Sequence, residues 1–253
     1  MRDCQETLDK WSENPSTDNN TRNTYIQQSE LLYKMELMWN LLEILCIEKQ
    51  SVILPSLLQW ISLHFPNCDE KARNVLGATS SNPNENVEEY LETPESHPEF
   101  WEAILFYILQ GRTENARKLL RLHSDFNSEP FVSIDELLRK MPRYTMGQTA
   151  ADFEFRWSHW QTEVVARIDE GEFATCQELA LIAKILAGDE ATFREEIKPK
   201  CETWYEWLIG KLLYTNPSVK IYDLPFHAEE AITIFGGLGS MTSLDSILLA
   251  GKA

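Results

Sequence analysis

Residues 100–120 read FWEAILFYILQGRTENARKLL. Apolar side chains at Phe100/Trp101, Ile104/Leu105 and Ile108/Leu109 recur at helical spacing, so Pro98 to Gln110 reads as a helix buried over most of its surface. Gly111 supplies a residue that takes up the left-handed conformation ending a helix without a Cβ penalty. Thr113 to Leu122 follows as a shorter amphipathic helix through Ala116, Leu119 and Leu120. A buried helix turning tightly into a more exposed one is a helical hairpin. The same punctuation returns at Ile185-Leu186-Ala187-Gly188-Asp189 and at Leu248-Leu249-Ala250-Gly251-Lys252. From 111 to 188 and from 188 to 251 the glycines stand 77 and 63 residues apart. A tetratricopeptide array would hold a period of roughly 34 residues, so the expectation is an all-α, irregular solenoid of helical hairpins.

Working outward, Leu31, Met35, Met38/Trp39, Leu42 and Leu45/Cys46 predict a helix from about Glu30 with one buried face. Pro55 in a first turn and Pro66 at the stop bound a helix from Leu54 to Phe65. Ser133 with Glu136, and Thr175 with Glu178, have the spacing of capping boxes, opening helices that end at Pro142 and Gly188. Between them Thr149 to Asp169 carries Phe153, Trp157/Trp160, Val164/Val165 and Ile168 on one side. Pro199 opens a helix closed by Asn216-Pro217, and Pro225 opens another to Phe235. No stretch alternates with period two, so no strand is required. The polar residues 1–29 are expected to be disordered, residues 30–253 to form the solenoid segment, and residues 77–97, rich in Glu and holding Pro83 and Pro94, to form an acidic loop. Gly251 falls where a further helix would follow, so the stack is expected to be incomplete at both ends, with Ile247, Leu248 and Leu249 exposed unless they fold back.

Charge narrows function. The chain has 23 Lys plus Arg against 40 Asp plus Glu, a net of −17. Phosphate binding requires cations, and no basic run occurs, so direct nucleic-acid binding is not expected; the same holds for anionic membrane surfaces. The longest apolar run falls far short of the ~20 residues of a membrane span, and no membrane insertion is expected. The five cysteines are odd in number, scattered, and form no C-x-x-C, which fits a reducing compartment and a soluble cytoplasmic or nuclear protein.

The sequence contains no H-E-x-x-H, no G-x-S-x-G, no phosphate-binding G-x-x-x-x-G-K-[ST] and no aspartate-rich magnesium motif. His159 lies between Trp157 and Trp160, where a surface aromatic position outweighs a metal or acid–base role. No enzyme is expected, with no catalytic, metal or cofactor residues and no cofactor. The eight tryptophans read as helix packing, with one or two as interface anchors.

Several runs carry a resemblance. They are Leu31-Leu32-Tyr33-Lys34-Met35-Glu36-Leu37-Met38-Trp39-Asn40-Leu41-Leu42-Glu43, Phe100-Trp101, Leu109-Gln110-Gly111-Arg112, Ala116-Arg117 and Phe173-Ala174-Thr175. Trp204-Tyr205, Leu212-Leu213-Tyr214-Thr215-Asn216-Pro217-Ser218-Val219-Lys220 and Leu244-Asp245-Ser246-Ile247-Leu248-Leu249-Ala250 follow in order. Together they resemble the Nup85 nucleoporin family, scaffold proteins of the Y-shaped outer-ring complex of the nuclear pore. The resemblance implies an ancestral-coatomer-element fold, a location at the nuclear envelope, and a structural role supporting mRNA export and protein import. It also implies other Y-complex nucleoporins as partners, including a β-propeller that receives a donated N-terminal blade; residues 1–29 show no strand set for that contact. A helical-repeat adaptor of a vesicle coat or other cytosolic assembly shares the architecture and is the alternative.

Overall fold

The computed structural model describes residues 2–12, 18–47, 52–79, 93–145 and 147–236. They are all-α, with no strand among the described residues. Two compact units contain them: one holds the described residues before Gln50 together with Gly236, the other is Ser51–Phe235.

In the first unit α1 (Arg2–Ser12) packs on α2 (Asn19–Leu42), which widens into a π-turn over Glu43–Ile47. Polar composition pointed to a disordered start here, whereas the structure forms a helical hairpin. Cys4, Leu8 and Trp11 at helical spacing give α1 its apolar side, Asp18 caps α2 through the Thr21 N–H, and Ser29 Oγ donates to Asp9 Oδ1 at 2.6 Å. The Trp11 and Tyr25 rings meet at 5.6 Å.

The second unit runs α3 (Leu54–His64), α4 (Asn67–Thr79), α5 (Phe100–Leu109), α6 (Thr113–Leu120), α7 (Glu129–Lys140), α8 (Ala150–Asp169) and α9 (Gln177–Ala187). A short α10 (Glu190–Thr192) opens into a π-turn over Phe193–Ile197, then come α11 (Trp204–Thr215) and α12 (Leu224–Ile234). Helices adjacent in sequence pack together from α4 through α7, as do α8 with α9 and α11 with α12. α11 ties the layers together by packing on α3, α5 and α9. Nine of its residues, Tyr205 and Trp207–Tyr214, are buried. Burying a Leu or Ile side chain contributes about 1.5–3 kcal/mol, so α5 and α11 form the principal core.

The tight turns form as expected where they are described. Gly111 and Gly188 take φ of +68° and +77°. At Gly188 a Cβ would sit 2.7 Å from the Tyr214 carbonyl oxygen, which accepts from Gln161 Nε2 at 2.6 Å. Tyr214 in turn donates to the Ile108 carbonyl at 2.8 Å, so one residue of α11 fastens both hairpin turns.

Some boundaries differ from expectation. α7 starts at Glu129, with Ser128 before it and Pro130 in the first turn. Ser133 is therefore a full turn inside the helix and caps nothing; its hydroxyl donates to Glu172 and accepts from Arg167. Cys176, not Thr175, precedes α9, without a side-chain cap. Pro199 sits in a 3-10 turn, and α11 begins after Thr203, whose hydroxyl accepts from the Glu206 N–H. The acidic stretch overlaps the end of α4 and the turn Pro94–Ser96, while residues 80–92 lie outside the described residues, as do Gly251 and Ile247, Leu248 and Leu249.

Candidate assembly surface

The stripe expected to be buried on α2 is its exposed side. Leu37 and Ile44 are buried, seven residues apart on one face, together with Ser29. Leu31, Met35, Trp39 and Leu42 recur every three or four residues on the opposite side and are 58%, 45%, 55% and 42% exposed. Cys46 is exposed as well. The spacing located the helix and its stripe correctly. The inference that a stripe must be a buried face fails, because periodicity reports that one side is apolar, not that the same molecule covers it. Trp39 and Trp11 are the two exposed tryptophans.

Several polar groups of the second unit pair with one another. Arg112 grips Asp69 with both guanidinium nitrogens, at 2.6 and 2.7 Å, and its hydrogen bonds hold the carboxyl below its usual range. Tyr107 donates to the same carboxylate at 2.8 Å; burial, with the Asp69 bond, pushes its phenol up to about 12. Cys68 lies beside this pair, yet burial raises its thiol to about 11, and Cys201 is raised the same way to about 12. Neither thiol has the thiolate character that nucleophilic chemistry needs.

A second network joins α7 and α8. Arg167 donates to Glu136 at 2.9 Å and to Glu163 at 2.5 Å, and Lys140 lies 3.0 Å from both carboxylates. Arg167 and then Lys140 hold Glu136 down at about 2. Arg117 on α6 spans Asp135 and Glu114 at 2.8 and 3.0 Å. Lys211, almost fully buried on α11, faces Glu230 at 3.4 Å and Glu190 at 3.8 Å. The pairs that cross between helices join residues far apart in the chain, so no local pattern announces them.

His159 is exposed, while Trp157 and Trp160 on either side of it are buried. Among the described residues no group of His, Cys, Asp or Glu could hold a metal ion, and no helix is long and apolar enough to cross a membrane. The stripe Leu31, Met35, Trp39 and Leu42 remains an exposed apolar surface of α2.

Known proteins point the same way. A model of the family described as Nup85 Nucleoporin matches residues 1–250. The chain is 36% identical over 259 residues to Nuclear pore complex protein Nup85 of Xenopus tropicalis, covering 99% of this chain and 37% of that protein. It is 36% identical over 234 residues to Nuclear pore complex protein Nup85 of Homo sapiens, covering 89% and 34%. To Nuclear pore complex protein Nup75 of Drosophila melanogaster it is 27% identical over 232 residues, covering 91% and 33%. The chain thus spans little more than a third of the length of these relatives. It belongs to the Nup85 nucleoporin family.

Proposed function

We propose that this chain is a structural, non-enzymatic scaffold segment of the nuclear pore complex, acting at the nuclear envelope and supporting mRNA export and protein import. The observation that carries the reading is the Nup85 family match over residues 1–250, on a chain whose outstanding surface feature is apolar. Its partners are other nucleoporins; the finer assignment is to the outer ring's Y-shaped complex, with a β-propeller among the neighbours. Residues 30–253 are taken as the solenoid-forming stretch.

The α2 stripe supports assembly because four large apolar side chains half in water gain stabilisation when a partner covers them, about 25 cal/mol per Å² of apolar area. The net charge of −17 supports protein partners over nucleic acid for the same scaffold. Imaging of a fluorescently tagged chain tests the location. A punctate nuclear rim is expected; a vesicular pattern or a diffuse cytosolic one overturns the reading in favour of another assembly.

A further inference from the structure

Ile26, Tyr33, Leu37 and Ile44 fall on one line of α2, since the 18-residue step from Ile26 to Ile44 makes five helical turns. Their exposure changes along it. Ile26 is 41% exposed, Tyr33 is half-buried, Leu37 is 1% exposed and Ile44 is buried. Burial raises the Tyr33 phenol above its ordinary range, and the Glu36 charge adds to the effect.

Among the described residues α1 is the helix that packs along α2, yet α1 does not produce this change. It runs beside Ile26, where Trp11 meets Tyr25 at 5.6 Å and Asp9 accepts from Ser29 at 2.6 Å, and it leaves Ile26 open. Arg2 stands seven residues before Asp9, and Ile44 fifteen after Ser29. At ~1.5 Å per residue α1 therefore stops about 12 Å short of Ile44. The far half of the line is closed by something other than α1.

Connectivity and composition select the element. Gly236, at φ +106° just after α12, belongs to the first unit together with α2, so residues 237–253 depart from that unit. Of the longer stretches outside the described residues, 13–17 and 48–51 hold no large apolar side chain. Residues 80–92 carry four Glu and no Lys or Arg, and both of their ends join the second unit. Residues 238–250 are different. Met241, Leu244 and Leu248 recur at steps of three and four, with Leu238, Ile247 and Leu249 beside them. As a helix that stretch spans about 20 Å, against about 16 Å from Tyr33 to Ile44.

We infer that residues 238–250 form a helix that docks on α2 along Tyr33, Leu37 and Ile44. This line and the stripe Leu31, Met35, Trp39 and Leu42 lie on opposite sides of α2, so both are occupied at once. The docked segment is an internal brace: it holds straight the half of α2 that α1 does not reach, which is the half displaying Met35, Trp39 and Leu42 to an external partner. The inference rests on burial and connectivity and not on the nuclear-pore reading, and its test involves no pore component.

The test uses the full chain with photo-reactive benzoylphenylalanine at Leu244, irradiated as an equal mixture of ¹⁴N- and ¹⁵N-labelled protein and mapped by mass spectrometry. Cross-links to residues 33–44 within one chain are expected, while the same probe at Trp39, on the exposed stripe, should not reach residues 238–250. Cross-links from Leu244 only to the second unit, only to Leu31, Met35, Trp39 or Leu42, or only between differently labelled chains would each overturn the inference. Hydrogen exchange reads the brace. In Leu244→Glu/Leu248→Glu the amides of residues 36–44 should exchange about tenfold faster or more, while those of residues 24–29, beside α1, keep their rates. Unchanged exchange at residues 36–44 would overturn it as well. Where the double variant fails to fold, the cross-link in the otherwise native chain decides.

Discussion

Gly188 closes the helix α9 at φ +77°, and the space a side chain would need is filled by the Tyr214 carbonyl at 2.7 Å. Gly171 shares the conformation, φ +79°, with nothing within 4 Å of a would-be Cβ. The two positions separate backbone strain from collision. Gly171→Ala should cost about 1 kcal/mol for the left-handed backbone alone, and Gly188→Ala roughly 2–3 kcal/mol or more, because the Gln161–Tyr214 contact must also move. Urea denaturation of the two variants checks this; equal midpoints would show that the close approach relaxes freely. Tyr214 belongs to the same junction. Burial drives its phenol far above the ordinary range, so it stays a neutral donor to Ile108. Tyr214→Phe keeps the ring and removes one bond to the Ile108 carbonyl, which still accepts from the Gly111 N–H at 2.9 Å, so it should cost about 0.5–1.5 kcal/mol.

At the scale of elements, α7 and α8 are joined by charges whose response to acid has a definite sign. Glu136 is held at about 2, against an ordinary 4.5, by Arg167 and Lys140. A carboxylate lowered on folding stabilises fully above its unfolded value and loses that contribution as the pH falls toward the folded one. The melting-temperature difference between the native chain and Glu136→Gln should therefore be largest above pH 4.5 and shrink as the pH approaches about 2. A difference that grows on acidification would contradict the assignment. On α2 the expectation is the opposite of a core change. Leu31→Glu with Trp39→Glu should leave helicity intact and stability within about 0.5 kcal/mol per site, since both side chains are half-exposed, while partner capture is lost. Circular dichroism with a pull-down measures both.

Most elements of the second unit were legible because proline, glycine and apolar spacing are local signals. The helices at Leu54, Phe100, Thr113, Thr149 and Leu224 start within a residue or two of their markers. The misreadings have physical causes. Ser133 and Glu136 satisfy the spacing of a capping box, but Pro130 starts the helix earlier and frees the serine for a partner on another element. The α2 stripe was visible, whereas which face would be covered depends on what packs there. Cys4, Leu8 and Trp11 held a helical signal for α1 that the surrounding polarity obscured.

At the scale of the whole molecule, a chain of net −17 in the Nup85 family, with an exposed apolar helix face, has the physical make-up of an assembly component. The comparison with its relatives covers little more than a third of their length, so the partners it captures are the direct object of test. In affinity purification of the tagged chain from nuclear envelopes, followed by mass spectrometry, nucleoporins should co-purify with the native chain and be depleted in Leu31→Glu/Trp39→Glu; recovery of no nucleoporin, or of vesicle-coat subunits in their place, would show that the chain is not a nuclear-pore scaffold segment.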